Sequence, residues 1–156
     1  MASVAAQAAA AAAQDVSKKS GGPAPKKAPV EIDREKICPL LLRVFPKVGG
    51  LHRPEDFATR GKEPKEEVQI YTWPDATLRE LTELVKEVRP EARKNTARLE
   101  FALVYPDRMG RNVLRKVGSV WSASHRGRGD DDNKSLASLS FQTGDFLDVG
   151  IHLPNL

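Results

Sequence analysis

A chain of 156 residues, 40% of them hydrophobic, has room for one modest core and a tail, but not for two full domains. Its single cysteine, Cys38, rules out an internal disulfide framework, and its three scattered histidines (His52, His125, His152) lack zinc-like spacing. The net charge of +4 and pI of about 9.3 invite a nucleic-acid reading, but residues 1–30 carry four lysines against Asp15 alone, a net +3, which leaves +1 for residues 31–156. A nucleic-acid-binding face needs a local basic surplus.

Residues 1–30 are an alanine run followed by a Lys/Gly/Pro-rich stretch with almost no large apolar side chain. Burial cannot offset the entropy of ordering such a segment, so it is predicted to be a disordered tail with at most transient helix in the alanines. The run has no basic n-region or leucine-rich core, which argues against a secretory signal. Its poverty in acidic residues leaves a transit peptide as the alternative. Two lysine pairs, Lys18-Lys19 and Lys26-Lys27, are compatible with nuclear import. No stretch of the chain is long and apolar enough to span a membrane. One cysteine and no disulfide fit a reducing compartment, cytosol or nucleus.

The folded part begins near Val30. Pro39 to Phe45 is a short apolar run bounded by Pro39 and Pro46, which predicts a buried strand with Cys38 as a buried structural thiol at its start. Lys47 to Glu66 form a connection long enough to be functional or mobile. Glu67 to Thr72 alternates, with Val68, Ile70 and Thr72 on one face and Tyr71 on the other. It is predicted to pair with the first strand as a long-looped hairpin. From Thr77 to Val88, Leu78, Leu81, Leu84, Val85 and Val88 form a helical stripe, opened by a Thr77/Glu80 capping box or by Asp75 and closed by Pro90. Pro90 to Lys94 can add a short helical turn.

Leu99 to Tyr105 is a third strand, and Asn112 to Val117 returns after a turn at Asp107 to Gly110. A Gly-rich charged loop over His125 to Asn133 follows, with Leu136 and Leu139 on a helical turn. The last strand runs from Phe146 to Leu153. A single amphipathic helix packed across a mixed sheet satisfies both apolar surfaces. The resulting expectation is an α+β, ubiquitin-like β-grasp fold over residues 31–156: five mixed strands on one main helix, long loop insertions, and the first and last strands parallel at the centre.

Catalytic chemistry is hard to find. There is no P-loop and no G-x-G-x-x-G. Arg126-Gly-Arg-Gly-Asp130 reads as a solvated loop, and its Arg128-Gly129-Asp130 tripeptide as chance. Asp130-Asp131-Asp132 lacks calcium-loop spacing and reads as a charged surface loop. Asp145, Asp148 and His152 read as polar strand positions, since Asp148 and His152 are too far apart along a strand to bond directly. No cofactor or metal is expected. Aromatic residues remain: Phe57, Tyr71, Trp73, Tyr105 and Trp121, most of them packing residues. Trp73, between strand and helix beside Pro74, is placed to stay partly exposed, as a protein–protein anchor would be. The expected partner surface comprises the Lys47 to Glu66 loop with Phe57 and Arg60, together with Tyr71 and Trp73.

Asp33-Arg-Glu-Lys-Ile-Cys-Pro-Leu-Leu-Leu-Arg-Val-Phe45, then Val68-Gln-Ile-Tyr-Thr-Trp-Pro-Asp-Ala-Thr-Leu-Arg-Glu-Leu-Thr-Glu-Leu-Val-Lys-Glu-Val88, and later Gly144-Asp-Phe-Leu-Asp-Val149, resemble the 18-kDa Sin-associated polypeptide family over residues 31–153. Pro46, Pro74, Trp121 and Gly150 depart from the expected pattern. The resemblance implies a ubiquitin-like fold and a nuclear, non-enzymatic adaptor; the single-cysteine composition leaves the cytoplasm as a second location. Implied partners are a Sin-type corepressor with its histone deacetylase subunits, and a splicing-associated complex of an Acinus-like protein and a serine-rich RNA-binding protein, which joins the exon junction complex. RNA would be met only indirectly, and the chain would be monomeric outside its complexes. The alternatives are a direct RNA-binding accessory protein and a ubiquitin-like modifier. The near-neutral domain argues against the first. The ending Pro154-Asn-Leu156 argues against the second, because conjugation needs a terminal Gly-Gly.

Overall fold

The computed structural model describes residues 31–123 and 130–154. The readings of the tail and of the Arg126–Gly129 stretch fall outside the described residues. Five strands and one α-helix make up the fold: β1 (Leu40–Val48), β2 (Val68–Thr72), α1 (Leu78–Val88), β3 (Arg98–Pro106), β4 (Asn112–Trp121) and β5 (Phe146–His152). The sheet order is β2-β1-β5-β3-β4; β1 and β5 are parallel and the other neighbours antiparallel. This is the expected α+β, β-grasp arrangement, with the first and last strands side by side in the interior.

The helix packs where its stripe requires. Leu78, Leu81 and Val85 are buried against Leu42, Val44, Leu99, Phe101, Leu103, Leu147, Val149 and Ile151. Each such side chain contributes about 1.5–3 kcal/mol. Val88, at the end of the stripe, is exposed. Thr77 caps the helix: its Oγ1 accepts the Glu80 N–H at 3.2 Å. Only half of the capping box forms, because the Glu80 carboxylate binds Arg34 instead. Pro90–Arg93 adds the expected short turn, as a 3-10 helix.

Three strand readings need correction. β1 does not stop at Pro46 but continues to Val48. β2 pairs with β1 only over Leu40–Val44, so beyond Val44 one side of β1 has no strand and the missing Pro46 N–H disrupts no ladder there. β4 does not end at Val117 but extends to Trp121. Phe101 pairs with Gly118 and Ala102 with Lys116, so Val117 is the extra residue of a bulge that breaks the alternation. Cys38 precedes β1 and is exposed, because the strand begins at Leu40.

The connection from β1 to β2 covers the sheet face opposite α1. Its 3-10 turn, Pro54–Phe57, carries Phe57 into a second buried cluster with Phe45 and Val104, against Phe146 and Leu114. Phe57 meets Phe45 edge-on at 5.3 Å. Gly150 permits the close approach: a Cβ there would lie 2.7 Å from both Gly50 C and Leu51 N.

Candidate functional site

The segment before β1 is tied to the β2–α1 junction by Arg34. Its guanidinium donates to both Glu80 carboxylate oxygens at 2.8 and 2.9 Å and to Asp75 at 3.0 Å, and lies over the Trp73 ring at 4.9 Å. The Glu80 and Asp75 bonds raise the guanidinium's pKa further above its ordinary value. Trp73 is half-buried, and its indole N–H donates to the Ile37 carbonyl at 2.7 Å. Trp73 therefore anchors the chain's own 31–39 segment while keeping part of its surface open.

Tyr71 sits two residues before Trp73 on β2, an edge strand. The strand's alternation aims Val68, Ile70 and Thr72 at the core and Tyr71 outward, 69% exposed. Leu41, its direct partner across the β1–β2 ladder, is 38% exposed, and Ile37 is 46% exposed. Paired side chains on one sheet face approach to about 5 Å. Leu41 and Tyr71 thus form an apolar ledge at the sheet edge, close to Trp73 and its bonded Ile37.

The four residues expected at a partner surface do not form one site. Tyr71 and Trp73 are neighbours. Arg60 is exposed in a separate cleft beyond the Arg43–Gln69 rung. Phe57 is fully buried and offers no surface to a partner, because the loop that carries it folds inward over the sheet. Leu41 and Ile37, which sequence reasoning missed, take its place on the surface. The outward parity of Leu41 was legible once β1 was registered against β2.

Polar residues beneath the covering loop also differ from the sequence reading. Asp148 is fully buried and bonds not to His152 but to His52, accepting the His52 backbone N–H at 2.8 Å and pairing with Nδ1 at 2.7 Å. Burial pushes the Asp148 carboxyl above its ordinary pKa, against the opposing His52 bonds. The His52 ring also meets Phe57 edge-on at 5.8 Å. The pair pins the loop to the central strand, a positioning role. His152 bonds Glu100 at 2.8 Å. Of the acidic triplet, Asp131 accepts the Ser119 N–H and pairs with Lys134, while Asp132 is buried 3.7 Å from Arg79 and is no surface residue. Among the described residues, no group of three or more His, Cys, Asp or Glu side chains is placed to hold a metal ion, and no helix is long and apolar enough to cross a membrane.

Residues 31–151, nearly the whole domain, match the family described as Sin3 associated polypeptide p18 (SAP18). The chain belongs to the SAP18 family. Among its relatives, a histone deacetylase complex subunit SAP18 of Arabidopsis thaliana is 58% identical over 128 residues, covering 82% of this chain and 84% of the plant protein. The proteins of the same name from Homo sapiens and Drosophila melanogaster are 52% and 47% identical, each over 126 residues; these cover 80% of this chain and 80% and 81% of the respective relative. The motifs around Trp73 and in β5 thus belong to a SAP18 domain.

Proposed function

We propose that this SAP18-family chain is a non-catalytic nuclear adaptor, a subunit of a histone deacetylase corepressor that works through protein–protein contacts. The same adaptor joins a splicing-associated assembly through an Acinus-like protein and a serine-rich RNA-binding protein, and through them the exon junction complex, meeting RNA indirectly. Outside these complexes it is a monomer, in the nucleus and also the cytoplasm. The names of its relatives support the corepressor role. The observation that carries the surface is the ledge that Tyr71 on the edge strand β2 makes with Leu41 on β1, with Ile37 and Trp73 beside it. An edge strand offers free backbone groups to an extended segment, and flanking apolar side chains add anchoring area.

The test is affinity purification of the tagged full chain from nuclear extract, with and without ribonuclease, read by mass spectrometry. Deacetylase-complex and splicing subunits are expected to survive ribonuclease and to fall in a folded Leu41→Asp, Tyr71→Ala variant. Loss of every partner on ribonuclease treatment would mean that RNA holds the assembly together. Undiminished recovery with the variant would remove the ledge from the partner surface.

A further inference from the structure

A cleft of about 750 Å³ opens at the end of the sheet where β3 leaves and β5 enters, lined by Arg43, Arg60, Arg115, Glu63, Asp145 and residues of the neighbouring strand ends and turns. The β3–β4 turn at its rim adds Arg108 and Arg111, both exposed. Three arginines therefore line the cleft and two more stand on the adjoining turn, in a domain whose net charge is only +1.

The nearby carboxylates are largely committed to their own turns. Asp107 accepts the Met109 and Arg111 N–H groups at 2.8 and 2.9 Å. Asp145 accepts the Gln142 N–H at 3.0 Å, and Glu63 the Gly61 N–H at 3.2 Å. Arg43 is matched by Glu67 and Glu63 and stacks on Phe146 at 4.7 Å, so it forms a fixed wall. Among the described residues, none of Arg60, Arg108, Arg111 and Arg115 is in an ion pair. Arg115 is nevertheless oriented, since it lies 5.7 Å from the Tyr105 ring and donates to the Leu139 carbonyl.

We propose that this cleft is a binding site for an acidic peptide segment, whose carboxylate or phosphoserine groups are taken by Arg60, Arg108 and Arg115. Guanidinium forks match such groups in bidentate geometry, where lysine acts only as a point charge. A protein segment fits better than single-stranded RNA, which needs aromatic platforms for its bases. The two aromatic residues of the walls, Tyr105 and Phe146, each already have a guanidinium against the ring, Arg115 and Arg43 respectively. The assignment follows the adaptor reading in taking the partner to be protein, but it does not use the Leu41–Tyr71 ledge.

The experiment uses the purified full chain and fluorescence anisotropy with three labelled probes of matched length: an Asp/Glu-rich peptide, a neutral peptide carrying phosphoserines, and a single-stranded RNA. At least one peptide is expected to bind saturably and more weakly as salt rises. Arg60→Glu with Arg108→Glu should weaken that binding about tenfold or more. Neither side chain makes a hydrogen bond or ion pair among the described residues, so the variant should keep its circular dichroism spectrum. Lys36→Glu with Lys94→Glu makes the same charge change elsewhere and should weaken binding less than about twofold. The relative strength of the two peptides tells carboxylate from phosphate as the preferred group. Absence of binding to both peptides, equal weakening by both double variants, or tighter binding of RNA than of either peptide would overturn the proposal. Because no extract is used, its failure is distinct from failure of the adaptor reading.

Discussion

Asp148 and His52 lie 96 residues apart in sequence, and the Asp148 side of their bond is fully buried. Alternation along β5 shows that Asp148 faces away from α1, but nothing local shows that a loop will cover that face. The residue therefore read as an ordinary polar strand position. Replacing it by alanine leaves a buried backbone N–H and a ring nitrogen without their acceptor. Asp148→Ala should cost about 2–3 kcal/mol, and Asp148→Asn, which keeps one carbonyl acceptor, about 1 kcal/mol, both by urea unfolding at neutral pH. A cost below about 0.5 kcal/mol for the alanine variant would mean that the pair does not hold the loop. Arg34 poses the opposite case, because its partners are half-exposed and solvent screens them. Arg34→Ala is expected to cost only about 1 kcal/mol, yet to shift the Trp73 indole N–H resonance clearly, because the ring loses its cation and the 31–39 segment loosens. An unmoved resonance would show that Trp73 and Ile37 keep their bond without it.

At the scale of elements, α1 was legible because five apolar residues at helical spacing leave no competing period, and Thr77 and Pro90 mark its ends. β2 and its outward Tyr71 were legible for the same kind of reason. β1 and β4 were under-read where tertiary context overrides a local rule: Pro46 is harmless beyond the end of the β2 ladder, and the Val117 bulge shifts the alternation that would have carried β4 to Trp121. The covering loop has no periodicity at all, so Phe57 could be found as an aromatic but not as a core residue. Its clearest sequence mark is Gly150, a small residue in the centre of a sheet. A methyl group there would meet Gly50 and Leu51 backbone atoms at 2.7 Å, and backbone has little freedom to move away. Gly150→Ala should therefore destabilise the domain by about 1–3 kcal/mol and speed proteolysis within residues 49–67, with cleavage elsewhere little changed. Uniform acceleration would mean that the whole fold, and not this layer, gives way.

For the whole molecule, counting charges could not reveal that arginines gather at one end, since segregation needs the fold. The same holds for acid stability, which depends on which carboxyls are buried and with what. Burial pushes the Glu100 carboxyl upward, but its His152 and Lys116 bonds outweigh this and leave it below the ordinary 4.5. The Lys134 bond and the Ser119 N–H, working against burial, hold Asp131 below 3.8. Carboxyls lowered in this way bind protons more weakly in the folded chain than in the unfolded one. Their contribution is complete above the ordinary values and is lost as pH falls through the folded ones. Asp148 has the opposite sign: raised above 3.8, it holds its proton more tightly when folded, so its contribution is complete below 3.8 and is lost as pH rises through its folded value. The wild-type urea midpoint should therefore be flat at neutral pH and fall below about pH 4.5, as Glu100 and then Asp131 take up protons. Glu100→Gln should make that fall shallower. Asp148→Asn should make it steeper, because the variant lacks a carboxyl that gains stability on acidification. A set of midpoints from pH 3 to 7 for the three proteins decides the matter, and parallel curves would mean that neither carboxyl carries the acid response.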